Sequence, residues 1–141
     1  MGKINMGRVI LGGIVAGIVA DILDYPVDGI WLAPRWMNDM GLLGHHTFST
    51  HMWLGFDILG IVGGIVAIWL YAAIRPRFGA GVKTAIRAGV IVWILGTLVP
   101  NASFMYVAGL FSKHLTLYTT LGGLVEVVVG TIAGAALYKE A

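Results

Sequence analysis

Residues 52–74 read MWLGFDILGIVGGIVAIWLYAAI, and this stretch decides the fold. A helix needs about 20 apolar residues to cross roughly 30 Å of hydrocarbon, and here 23 run with Asp57 as their one charged member. Strands of a membrane barrel alternate apolar and polar at every second position. Neither this stretch nor Val90-Ile-Val-Trp-Ile-Leu95 alternates, so the spans are helices. Three more such runs flank it. The sequence predicts an all-α, four-helix integral membrane bundle with helices near 9–32, 52–74, 84–111 and 115–138, with ends placed to about 2–4 residues. Pro100 falls inside the third run and predicts a kink there. Pro76 and the glycines after it are expected to stop the second.

Composition agrees with the spans. Of the 141 residues, 58% are hydrophobic and 11% are charged, against about 25% charged in an ordinary soluble domain. There are 21 glycines, about twice the usual share, and no cysteine. The last point excludes disulfide scaffolds, thiol redox chemistry and cysteine-ligated metals. A net charge of +2 spread over a few points is no nucleic-acid footprint. The expected partners are the lipid bilayer, other membrane subunits or a second copy of the chain, and no nucleic acid.

Lysine and arginine positions orient the bundle. Lys3, Arg8, Arg75, Arg77, Lys83, Arg87 and Lys139 fall on one side of the predicted spans, and only Arg35 and Lys113 on the other. The positive-inside rule then predicts both termini and the central turn in the cytoplasm, in a multi-pass protein of the cell (inner) membrane. Lys3 and Arg8 resemble a basic leader, but Ala20 lacks a small partner at Ile18 for cleavage and apolar residues resume at Val27, so an uncleaved anchor is expected. Residues 1–141 read as a single transmembrane domain. The long connection 33–51, with Trp36, Met37, Met40, Leu42 and Leu43, reads as an outer segment lying in the membrane interface.

Three spans carry a Gly-x-x-x-Gly pair: Gly13/Gly17, Gly60/Gly64 and Gly130/Gly134. Small residues at this spacing let helix backbones approach closely in lipid, where no hydrophobic force draws helices together. The acids share these faces. With Gly13 at the origin and about 100° per residue, Gly17 lies near 40°, Asp21 near 80°, Asp24 near 20° and Asp28 near 60°. Asp57 lies within about 60° of Gly60 and Gly64, and Glu126 lies in the stripe of Thr119, Gly123, Gly130 and Gly134. The carboxyls are therefore expected to face protein, because a charge facing lipid costs several kcal/mol. By depth, Asp21 and Glu126 sit near mid-span, Asp24 and Asp57 in the outer third, and Asn101 between. Asp21 and Glu126 are expected to hold or share a proton. The repetition of Gly13-Ile-Val-Ala-Gly-Ile-Val-Ala in Gly60-Ile-Val-Gly-Gly-Ile-Val-Ala is read as common membrane vocabulary.

His45, His46, His51 and His114 all fall on the outer side, where with Asp24, Asp28 and Asp57 they offer nitrogen and oxygen ligands for a metal, or axial ligands for a haem or pigment. The spacing His-His-x4-His fits no structural zinc pattern, and no cofactor is favoured. No hydrolase elbow, phosphate loop or metalloprotease helix motif is present, so the chain leans away from enzymatic function.

Three readings follow from these residues. The first is a small subunit or scaffold packing through its glycine faces, in a homo-oligomer or a larger assembly. The second is a proton- or cation-coupled carrier or channel using Asp21, Asp24, Asp57, Glu126 and Asn101. The third is a metal- or cofactor-binding membrane protein using the outer histidines and aspartates.

Several stretches also resemble a family. They are Gly7-Arg-Val-Ile-Leu-Gly-Gly-Ile-Val-Ala-Gly17, Trp36-x3-Met40-Gly41, Leu70-Tyr-Ala-Ala-Ile-Arg-Pro-Arg-Phe-Gly-x-Gly-x-Lys-Thr-Ala85 and Ala133-Gly-Ala-Ala-Leu-Tyr-Lys-Glu140. Through them the chain is similar to small bacterial four-helix integral membrane proteins that form a domain of unknown function. The resemblance implies the topology and no activity.

Overall fold

The computed structural model describes residues 3–140 and is all-helical, with no strand among them. Five helices follow in order: α1 (Met6–Trp31), α2 (Ala33–Leu42), α3 (Thr50–Phe78), α4 (Val82–Val107) and α5 (Lys113–Ala135). All but α2 are long and apolar enough to cross a membrane, and they pack against one another as a bundle.

Polar side chains start three of the helices, two or three residues ahead of the predicted spans. Asn5, Ser49 and Ser112 each accept a hydrogen bond from the backbone N–H three residues on, satisfying a donor that the first helical turn leaves free. At the other ends the outcome differs from expectation. Pro76 does not stop α3: it removes one hydrogen bond in the final turn, and the helix runs on to Phe78. Gly79 ends it, with φ +83° and its N–H donating to the Arg75 carbonyl at 2.8 Å. The third span ends at Val107 rather than near 111, because Gly109 takes φ +68° and turns the chain. Phe111, freed from the helix, packs edge-on against Trp36 with ring centres 5.3 Å apart. α5 stops at Ala135, ahead of 138, and leaves Tyr138 just beyond the turn at Ala136 and Leu137.

Two prolines fall in or beside widened helix. Proline lacks the N–H and its ring crowds the carbonyl four residues back. α1 is π-helical over Tyr25–Trp31, which includes Pro26, and α4 is π-helical over Ile94–Leu98 and Asn101–Val107, on either side of Pro100. Bonds one residue longer than the α pattern result: Leu32 N–H to the Val27 carbonyl at 2.8 Å and Ala108 N–H to the Ser103 carbonyl at 3.0 Å.

Helix α1 is held on two sides by backbone-to-backbone contact. A Cβ at Gly13 would collide with the backbone of Ile65 on α3, and one at Gly17 with that of Ile61. Gly64, opposite, abuts both glycines. On the α5 side Gly12 meets Gly134, and Ala16 meets Gly130. The two seams run antiparallel. Carried on by one helical turn, the same registers bring Asp21 level with Asp57 and Ala20 level with Glu126. The repeated octapeptides at residues 13–20 and 60–67 are thus two halves of one interface.

The end holding both termini is closed by an apolar core that includes Val9, Ile68, Tyr71, Ala88 and Tyr138. There the Tyr138 hydroxyl accepts from the Asn5 N–H at 3.3 Å, and Arg75 lies 3.7 Å from Glu140. Leu32, Met105 and Leu115 form a smaller core at the opposite end. Helix α4 is the least enclosed span: 6% of its most apolar window is buried, against 28–39% in the others.

These contacts separate seam glycines from the rest. Gly17→Ala is expected to destabilise the protein by about 1–3 kcal/mol through overpacking. Gly96→Ala, whose added methyl meets nothing within 4 Å, is expected to be neutral or stabilising. Thermal unfolding of both variants in mild detergent, followed by circular dichroism, measures the difference.

Candidate functional site

Beyond the seams the bundle opens. Once Gly17 and Ala16 are passed, α1 presents Ala20, Asp21, Asp24 and Asp28 to a cavity of about 780 Å³ that all five helices line. Small residues make this space: Gly60, Gly63 and Gly64 from α3 and Gly96 from α4 lie along its wall, and added methyls at Gly63 and Gly96 would meet nothing within 4 Å. It reaches inward to Ala67 and Thr131, where the apolar core of the terminal end begins. On its α3 wall Trp53, Phe56 and Asp57 are exposed, so the cavity opens outward from the bundle.

Five of the chain's seven acidic residues line this one cavity: Asp21, Asp24, Asp28, Asp57 and Glu126. No lysine, arginine or histidine lines it, and the only ion pair among the described residues is Arg75–Glu140, at the other end. Asp21 presses its carboxylate on Gly60 of α3. Asp24, Asp28 and Glu126 form a group, each offering an oxygen within 4.8 Å of the others. Glu126 is 8% exposed, and its Oε1 has no hydrogen-bond partner. The Oδ1 of Asp28 accepts from the Trp36 indole N–H at 2.6 Å, while its Oδ2 is buried and unpartnered. Buried carboxyl oxygens without donors are costly. A proton or a cation among them removes that cost.

The arrangement regroups the acids. On the α-helical wheel Asp28 shares the stripe of Gly13 and Gly17, and Asp21 is paired with Glu126. The structure gathers Glu126 with Asp24 and Asp28, and sets Asp21 on the α3 side. The π-helical turns from Tyr25 onward account for Asp28: bonding five residues back advances the chain by a smaller angle per residue, so positions beyond Tyr25 lag the α count and turn toward α5, whereas Asp21 and Asp24 lie on the regular helix before them. Pro26, just before Asp28, was the available signal.

The other candidate residues lie elsewhere. Asn101 donates to the Thr120 hydroxyl at 2.9 Å, a bond between α4 and α5 that does not line the cavity. His45, His46 and His51 are exposed, and His114 is on the surface with its ring 6.4 Å from that of Tyr118. None joins a group of three ligating side chains among the described residues. Gly13, Gly17, Gly60, Gly64, Gly130 and Gly134 all stand at interhelical contacts, Gly60 against the carboxylate of Asp21.

Compared with known protein families, curated proteins and solved structures, the chain matches none. The site stands on its own geometry.

A feature outside the acid pattern completes that geometry. Helix α2 forms part of the cavity wall, contributing Trp36 and Met37 to its lining. Asp39, three residues from Trp36 and therefore on the same side of the helix, is buried, and its Oδ2 accepts from the Ser112 N–H at the start of α5 at 2.8 Å. α2 is thus tied to α1 through Trp36 and Asp28, and to α5 through Asp39. Burial opposes the charge on Asp39, but the bonds from Ser112 and the Asn38 amide outweigh it and lower its pKa below the usual carboxylate value.

A lowered folded-state pKa means that Asp39 stabilises the protein above its unfolded pKa, and that this contribution disappears as pH falls through the folded value. Asp39→Ala is therefore expected to lower the unfolding midpoint at neutral pH. The gap to wild type should narrow as the pH drops below the ordinary value of 3.8, as read from thermal melts across a pH series.

Proposed function

We propose that the chain takes protons or cations into this cavity, as a proton- or cation-coupled carrier or channel of the cell (inner) membrane. The observation that carries the reading is the charge imbalance: five carboxyls line one cavity without a basic side chain among its walls. Intramembrane acids gathered around a cavity mark ion or proton pathways. The apolar core at the terminal end supports access from one side at a time. The distribution of lysine and arginine supports both termini in the cytoplasm, and so a cavity that faces the outer side. Membership among the small bacterial four-helix proteins that the chain resembles belongs to the same proposal.

The small-subunit reading is second, and one observation favours it. The outward face of α4 is the most open surface of any span, and it suits a neighbouring helix as well as lipid.

Orientation is tested with the chain's lack of cysteine. Single cysteines at the exposed positions Thr47 and Ala80 are expected to differ: Thr47→Cys reacts with an impermeant maleimide added to whole cells, and Ala80→Cys reacts only after lysis. The reverse pattern overturns the orientation. Uptake is tested in proteoliposomes carrying a pH-sensitive dye and an imposed cation gradient. Wild type is expected to move protons, and the double variant Asp24→Asn, Glu126→Gln to do so at about a tenth of that rate or less. A folded double variant with wild-type uptake, or a folded wild type without any, refutes the carrier.

A further inference from the structure

Resting on the cation-binding reading, we infer that the cavity's ligand is an organic cation: an ammonium or amidinium group carried on an apolar, preferably aromatic, body. Three features of the cavity point to it.

The first is size. Its volume of about 780 Å³ falls within the range of about 300–1,000 Å³ typical of small-molecule sites. A proton or a bare metal ion leaves nearly all of that space unused. A calcium ion also asks for six to eight oxygens at about 2.3–2.6 Å, and the acid group provides three ligating side chains.

The second is the division of the lining. Carboxyls from Asp24, Asp28 and Glu126 lie together, and the Glu126 side chain is buried with an oxygen that nothing else satisfies. Toward the mouth the walls are aromatic: Tyr25, Trp36, Phe48, Trp53 and Phe56. The Phe48 and Trp53 rings lie 5.4 Å apart, and the Trp36 indole is hydrogen-bonded to the Asp28 carboxylate itself. An aromatic face beside a carboxylate suits a cation with a greasy periphery, because ring and acid attract the charge together. An anion is excluded by the same lining, and a neutral apolar ligand leaves the buried carboxyls unsatisfied.

The third is that the space is more than the seams leave behind. Gly60 and Gly64 serve both the α1–α3 contact and the cavity wall, but Gly63 and Gly96 line the cavity and touch no neighbouring helix.

The test uses the full chain in nanodiscs, with quenching of tryptophan fluorescence as the readout and benzyltrimethylammonium as the probe. Neopentylbenzene, of the same shape without the charge, is the control. Saturable quenching by the cation is expected, with the neutral analogue weaker by about tenfold or more. Glu126→Gln is expected to weaken cation binding by a similar factor, and Gly63→Leu, which fills the cavity without touching a carboxyl, to weaken it likewise. Trp53→Leu should cost about threefold. Equal binding of cation and neutral analogue overturns the inference, and so does unchanged binding in both folded variants, Glu126→Gln and Gly63→Leu. If the cation fails to bind while proteoliposome uptake still depends on Asp24 and Glu126, the organic ligand is refuted and the carrier stands. If both fail, both fall.

Discussion

Everything at the acidic end depends on how closely α1 approaches its two neighbours. In lipid, helices gain little by hiding apolar surface from one another, so association rests on van der Waals fit and on the few polar contacts that become possible. Gly13 and Gly17 against Ile61, Gly64 and Ile65, and Gly12 and Ala16 against Gly130 and Gly134, bring backbone against backbone. Contacts of that kind admit no slippage, because a shift of one residue puts a side chain where only a hydrogen fits. The seams therefore set the levels of Asp21, Asp57 and Glu126, although none of these acids contributes much to the packing itself.

The same helix then gives up close packing to make room. Past Gly17, α1 turns from glycine and alanine to aspartate, α3 and α4 each supply a glycine that touches nothing, and the bundle encloses space instead of side chains. Empty volume and uncompensated carboxyls both cost stability. The tightly packed terminal end, with its buried tyrosines, offsets that cost. This division between a closely packed half and an open, polar half is the usual arrangement where a binding site is built on a stable frame.

Much of the architecture was legible in the amino-acid order. Apolar length gives the four spans and places most of their ends within a few residues. The exceptions have local causes. Pro76 falls so near the end of α3 that losing one hydrogen bond does not break it, while Gly109 ends α4 several residues before its apolar run does. Less legible was the polar side. A wheel drawn at a constant angle handles Asp21 and Asp57, which lie on regular helix, and misplaces Asp28, which lies beyond a proline that widens the coil. The place of α2 was hidden as well: nothing in the run from Ala33 to Leu42 announces that Asp39 will meet the backbone of Ser112, 73 residues away.

What the sequence determined alone is the number and type of the spans, the small-residue faces and the acids that share them, because hydrophobic length and helical periodicity are local properties of the chain. Tertiary structure alone decided that five carboxyls converge on one cavity, that Glu126 joins Asp24 and Asp28, and that α2 joins the wall around them. Those outcomes depend on interhelical register and on π-helical turns, and both arise from contacts between residues far apart in the chain.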